Sequence, residues 1–193
     1  MEQGVPLHPH RESGFTILEV MVATLLLLVG LLSLAYVFGE DLGVIATAQQ
    51  DSIARQKVRE ALEDVFTARD TGGISFNQIC NLGSGPICIF VNGFEPMYTP
   101  GPDGIVNTAD DGTGTLPTGC TITPCIETLD TPGPDGILGT ADDVFVPLEG
   151  FQRQIQITPL TPILNRITVT VQYTTPQGII RSVTVVALIS PYV

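Results

Sequence analysis

The stretch Ser13–Asp41, SGFTILEVMVATLLLLVGLLSLAYVFGED, decides the fold. Its centre, Val20 to Gly39, is twenty residues without a charge. At about 1.5 Å per residue a helix of that length spans about 30 Å, the thickness of a bilayer's hydrocarbon core. Glu19 stands at the edge of this run, and a polar leader precedes it. An ionised carboxylate inside lipid costs roughly 2.5–3.5 kcal/mol even on lenient insertion scales, so an acid in that place is normally paired or functional.

Outward from the apolar run, the pattern changes but the helix need not stop. No proline occurs between His10 and Pro86. Past Gly43, the residues Ala54, Val58, Ala61, Leu62, Val65 and Phe66 recur at three- and four-residue steps, with Arg, Lys, Glu and Asp between them. That periodicity predicts an amphipathic helix with one face to bury. Gly72-Gly73 supplies its stop signal. The simplest reading is one helix from about Phe15 to Arg69, about 80 Å long, its first half in lipid and its second half packed on a domain.

A secretory signal places its small cleavage residues after the apolar core. Here the small residue, Gly14, lies before it, so a cut at Gly14 leaves the apolar helix on the mature protein. Gly14-Phe15-Thr16-x-x-Glu19 before an uncharged run resembles the class III signal of type IV pilins and type II secretion pseudopilins. The resemblance implies that a prepilin peptidase cuts between Gly14 and Phe15 on the cytoplasmic side and methylates the new amine of Phe15. It also gives Glu19 a role: as the fifth mature residue it pairs with the N-terminal amine of a neighbouring subunit during assembly. The leader, Met1–Gly14, departs from the usual form in holding one Arg (Arg11) and two acids, Glu2 and Glu12. The terminal strand pair and the run LEVMVATLLLLVGLLSL look most like the PilV-like minor pilins.

The C-terminal part reads as strands. Arg153–Ile157 alternates, and Arg166–Tyr173 alternates more cleanly, with Ile, Val, Val and Tyr on one face. Ile180–Ile189 follows a Pro176-Gln177-Gly178 turn, so the last two strands form a hairpin. One face of this sheet is expected on the amphipathic half of the helix. The fold class is therefore α+β: a long N-terminal helix, part transmembrane and part amphipathic, on a C-terminal antiparallel sheet, with a Gly/Pro-rich, disulfide-containing loop region between them. The expected boundaries are 1–14 for the leader, 15–70 for the helix with its membrane span at 15–39, and 71–193 for the globular domain. Within that domain 71–147 is loop-rich and 148–193 is sheet.

Four cysteines, Cys80, Cys88, Cys120 and Cys125, lie at gaps of eight and five positions, far from the two histidines. Zinc sites favour C-x-x-C steps or nearby His, so disulfides of an exported protein fit better. Local pairs Cys80–Cys88 and Cys120–Cys125 are the most economical, but four cysteines allow three connectivities.

The middle holds a duplication. Thr99–Asp111, TPGPDGIVNTADD, returns as Thr131–Asp143, TPGPDGILGTADD, identical at eleven of thirteen positions. Two copies are too few for a solenoid, so this is a duplicated loop. Each copy crowds three carboxylates: Asp103, Asp110 and Asp111, then Asp135, Asp142 and Asp143. Crowded acids repel unless a cation joins them, and carboxylates with backbone oxygens are what Ca²⁺ takes. The loops also resemble the calcium loop of major type II secretion pseudopilins, although that family has one such loop, nearer the C-terminus. One Ca²⁺ per loop is expected, with backbone oxygens near Asn107 and Gly139 contributing.

Composition narrows the function. The net charge of −12 argues against a nucleic-acid partner. Both histidines, His8 and His10, leave with the leader, and no phosphate loop or nucleophile–base pair is present, so no enzyme is expected. A Mg²⁺ phosphotransfer site at the Asp clusters lacks a basic partner for phosphate. The resemblance to type IV pilins implies a structural filament subunit whose partners are the prepilin peptidase, an inner-membrane assembly platform, and copies of itself or other pilins. Its expected location is the inner membrane before assembly and a pilus or periplasmic pseudopilus afterwards. The alternatives are a type II secretion pseudopilin acting as a piston and a pilus-borne adhesive module.

Overall fold

A computed structural model describes residues 14–113, 120 and 123–192, and for Glu40–Leu42 the backbone alone. The leader other than Gly14 lies outside the described residues. The chain divides into two compact units, Met1–Val44 and Ile45–Val193.

Helix α1 runs Ile17–Asp70, close to the expected bounds. Thr16 caps its start: its Oγ1 accepts the Glu19 amide at 3.2 Å and its carbonyl accepts the Val20 amide at 3.2 Å. That satisfies donors which the first helical turn otherwise leaves open. In the first unit the apolar side chains from Phe15 to Phe38 are exposed. Among the described residues α1 is the one helix long and apolar enough to cross a membrane.

In the second unit α1 buries Ala54, Val58, Ala61 and Val65, each at most 1 % exposed. These steps of four, three and four make a narrow stripe. Leu62 and Phe66, expected in the same face, sit half-buried at its flank. Small side chains at the centre let the sheet approach closely, and the larger ones cover its margin. The helix ends where Gly72 takes a φ of 75°, and the Ile74 amide turns back to the Ala68 carbonyl. That is the left-handed closure glycine permits at low cost.

The strands are β1 (Glu95–Pro96), β2 (Thr128–Thr131), β3 (Val144–Pro147), β4 (Phe151–Thr161), β5 (Leu164–Thr174) and β6 (Ile180–Ile189). The main sheet has the order β1-β4-β5-β6, all antiparallel; β2 and β3 form a separate ribbon. The three long strands extend or match the expected ones. The three short strands fall inside the segment read as loops. Ile155, Ile157, Ile167, Val169, Val171 and Tyr173 point inward and are buried with the helix stripe. Phe151 faces Tyr173 in register, with ring centroids 5.5 Å apart. This is the α+β arrangement expected, a helix packed on an antiparallel sheet.

Both local disulfides form, Cys80–Cys88 and Cys120–Cys125, and no free cysteine is left among the described residues. The first staples a loop that Asn81 fixes to the sheet. Its Nδ2 donates to the Ile155 carbonyl at 2.8 Å, and its Oδ1 accepts the Ile157 amide at 2.7 Å.

Candidate functional site

The N-terminal candidates lie together at the start of α1. Gly14 and Phe15 are exposed and precede the helix. Glu19 is in its first turn, and its carboxylate has no ion-pair partner among the described residues. Sequence reading missed the cap: Thr16-x-x-Glu19 is a capping-box pattern, and Thr16 holds the amide of the same residue whose side chain is spare.

The duplicated loops have the same internal bonding. In the first, Asp103 Oδ1 accepts the Ile105 amide at 2.9 Å, and Asp111 Oδ2 accepts the Asn107 amide at 2.6 Å. In the second, Asp135 Oδ1 accepts the Ile137 amide at 2.8 Å, and Asp143 Oδ2 accepts the Gly139 amide at 2.6 Å. The Thr108 hydroxyl faces Asp110 Oδ1 at 2.7 Å and Asp111 Oδ1 at 3.0 Å. Thr140 meets Asp142 Oδ1 at 2.6 Å and Asp143 Oδ1 at 3.4 Å. A hydroxyl owns one proton, so one of each pair of carboxylate oxygens is left without it.

Glycine is required at Gly101 and Gly133. A Cβ at Gly101 would lie 2.5 Å from the Asp110 carbonyl oxygen, and one at Gly133 would collide with that of Asp142. At one of the two positions where the copies differ, Asn107 has a φ of 66° and Gly139 one of 88°. Both residues hold the left-handed turn, which asparagine tolerates better than most.

The surroundings differ sharply. Ile105 and Val106 of the first loop are each 3 % exposed, the Asn107 carbonyl accepts the Val91 amide at 2.9 Å, and Thr108 bridges to Phe90. Ile137 and Leu138 of the second loop, which joins β2 to β3, are 61 % and 60 % exposed. Burial pushes the Asp111 carboxyl up to about 6, against amide and hydroxyl bonds from Asn107 and Thr108 and the pull of Arg153. Asp142 lies below the ordinary carboxylate range, held there chiefly by the Thr140 hydroxyl. All donors in both loops are oxygens, the kind Ca²⁺ prefers. Two of the three carboxylates in each loop gather round one hydroxyl. Among the described residues no three His, Cys, Asp or Glu side chains converge as a metal-ligating group.

An ion network links the first loop to the helix through Arg153, which the sequence analysis placed only at the start of an alternating strand. Arg153, 2 % exposed on its side chain, donates to Glu127 Oε1 at 2.7 Å and lies 4.0 Å from Asp111 Oδ2. Glu127 also meets Lys57 Nζ at 3.0 Å, and Lys57 meets Glu60 at 2.7 Å. Burial alone lowers a lysine, but Glu127 and Glu60 win and hold the Lys57 ammonium above its usual range. A cavity of about 310 Å³ opens beside these groups and is also lined by Asp64, which burial pushes upward. Arg153 could be noticed in the sequence as a charge at an inward position of β4, three residues after a glycine turn. Its partners, 26 and 42 positions away, could not.

Residues 9–35 match the prokaryotic N-terminal methylation motif. No curated protein and no solved structure matches the chain.

Proposed function

We propose, from the N-terminal methylation motif that makes this chain a type IV pilin-like, prepilin-processed protein, that it is a structural subunit of a pilus-like filament. Prepilin peptidase cuts between Gly14 and Phe15 and methylates the Phe15 amine. The subunit waits in the inner membrane through its apolar helix, and an assembly platform draws it into a filament of copies of itself or other pilins. The filament is an extracellular pilus or a periplasmic pseudopilus. The subtype reading, a PilV-like minor pilin, rests on the terminal strand pair and the apolar run.

The observation that carries this reading is a spare carboxylate, Glu19, at the start of a charge-free span. It is costly in lipid alone and satisfied when a neighbour's amine joins it. In this reading the role is structural and not catalytic, and the acidic loops, each holding one Ca²⁺ through its paired carboxylates, order the domain. The loops' likeness to the pseudopilin calcium loop is what favours the secretion alternative.

The test is mass spectrometry of the mature N-terminus together with immunolabelling of filaments sheared from cells. N-methyl-Phe15 in labelled surface fibres supports the pilus subunit. N-methyl-Phe15 with no surface fibre selects the pseudopilus. An unprocessed chain overturns both.

A further inference from the structure

Four steps in the sequence put Asp or Asn before Gly: Asn92-Gly93, Asp103-Gly104, Asp111-Gly112 and Asp135-Gly136. Such a step can react with itself, because a glycine carries no Cβ to hinder its amide from approaching the preceding side chain. The fold protects three of the four. In each Asp-Gly step the glycine amide is spent in a backbone hydrogen bond. Gly104 donates to the Gly101 carbonyl at 3.0 Å, Gly112 to that of Thr99 at 2.7 Å, and Gly136 to that of Gly133 at 3.0 Å. Their side chains are held as well: Asp103, Asp111 and Asp135 accept the amides of Ile105, Asn107 and Ile137.

Asn92-Gly93 differs on each count. It lies in a bend just before β1, outside both repeats, and Asn92 is exposed. The Gly93 amide has no hydrogen-bond partner among the described residues. Gly93 takes a φ of 88°, and the space where a Cβ would stand is empty to 4 Å. The Asn92 side chain is a neutral amide, open to a nucleophile that an ionised carboxylate repels. Its Nδ2 donates to the Leu82 carbonyl at 2.7 Å in a solvent-exposed bond. That contact holds the nitrogen and leaves Cγ open. Leu82 lies inside the Cys80–Cys88 staple, so the bond ties the bend to the stapled loop.

We infer that Asn92 is a modification site at which the folded chain deamidates itself. Base takes the proton of the Gly93 amide, and the nitrogen attacks Asn92 Cγ. The new C–N bond closes a succinimide ring, the Cγ–Nδ2 bond breaks, and the nitrogen leaves as ammonia with the proton returned to it. Water then opens the ring at either carbonyl, giving aspartate or isoaspartate. Either product is an anion where a donor stood, and an ionised carboxylate only accepts. The Leu82 carbonyl loses its partner and the tie to the stapled loop is lost. The inference goes beyond the filament reading and does not rest on it.

The experiment incubates the full chain in detergent at mildly alkaline pH until a synthetic peptide of residues 89–95 has converted. Position 92 is read by mass spectrometry after cleavage at acidic residues, since no Lys or Arg lies between Arg69 and Arg153. Aspartate and isoaspartate should appear at position 92, with matching release of ammonia, while the three Asp-Gly steps stay unchanged. Gly93→Ala should slow the conversion severalfold, and Asn92→Gln should abolish it on this timescale. Asn92→Asp should exchange amide hydrogens faster than the parent across the Cys80–Cys88 loop. An intact Asn92 after the incubation, or isoaspartate arising first at an Asp-Gly step, overturns the site. Unchanged exchange in Asn92→Asp overturns the loss of the tie.

Discussion

Arg153 and Glu127 meet at 2.7 Å, and both are largely shielded from water. Between them they join β4, the segment before β2 and, through Lys57, the helix. Removing one partner of a buried pair leaves an uncompensated charge and costs about 3–5 kcal/mol. Arg153→Met is therefore expected to lower the unfolding midpoint of the full chain in detergent by about 6 °C or more. Arg153→Met with Glu127→Gln should recover part of that loss. Circular dichroism melts check both, and a single change without effect removes the network as a tie between helix and sheet.

The edge of this network gives a pH signature. Burial tends to raise the Glu60 carboxyl, but hydrogen bonds from Lys57 and Gln56 outweigh it and hold the group below its usual range. A depressed folded-state pKa contributes stability that is present above the unfolded value, about 4.3, and is lost as pH falls through the folded one. Glu60 is 41 % exposed on its side chain, so solvent screening keeps the contribution below about 1 kcal/mol. Glu60→Gln should melt slightly lower than the parent at pH 7, and the gap should close as pH falls below the unfolded value of about 4.3 and through the lower folded one. A gap that persists or widens in acid contradicts the Lys57 pairing.

The helix and the three long strands were legible because each obeys one period over ten or more residues. Leu62 and Phe66 do pack against the core, at the margin of the stripe, but periodicity cannot say that the small Ala54, Val58, Ala61 and Val65 are the fully buried ones. Strands β1, β2 and β3 were invisible: two to four residues each, among glycines and prolines, they are set by their partners. The loops' bonding could be anticipated from the repeat, but not that one copy is buried and the other exposed. That difference depends on Phe90 and Val91, outside the repeat. Nor could the sequence pair Arg153 with Glu127, since Glu127 lies 26 positions away and outside every periodic strand.

Processing hinges on one small residue. Gly14 is exposed and a Cβ there meets nothing within 4 Å, so the fold itself does not require glycine. Gly14→Leu should leave the precursor folded, in the membrane and at full length, because the larger side chain blocks the peptidase. Mass spectrometry of the membrane fraction reads the outcome. Maturation at the normal position removes the processing reading.

The spare carboxylate predicts a defect confined to assembly. Glu19→Val keeps the Thr16 cap, since that bond uses the backbone amide. Cleavage and membrane insertion should then be normal, while a neighbour's amine loses its partner at a cost of about 3–5 kcal/mol. Filament yield should fall by a hundredfold or more, about 2.7 kcal/mol at roughly 1.4 kcal/mol per decade. Incorporation at the parental level would sink the pairing.

Calcium should act differently at the two loops. The first is built into the core through Phe90, Val91 and Arg153, and the second extends from a ribbon with its tip exposed. A ligand held only by the folded state adds RT ln(1 + [L]/Kd), about 2.7 kcal/mol at a hundredfold excess. At the first loop that gain couples to unfolding of the whole second unit; at the second loop it couples to the ribbon alone. Chelator should therefore lower the melting midpoint of the full chain, with recovery on Ca²⁺ and much less on Mg²⁺. Asp110→Ala should remove most of the shift. Asp142→Ala should leave the midpoint nearly unchanged while lowering the calcium bound per chain from two to one by titration calorimetry. Gly101→Ala should mimic Asp110→Ala, because its Cβ drives against the Asp110 carbonyl and carboxylate, whereas Gly133→Ala should mimic Asp142→Ala. If chelator moves no midpoint and calorimetry gives no heat on adding Ca²⁺, the loops are hydrogen-bonded turns that hold themselves closed through Thr108 and Thr140.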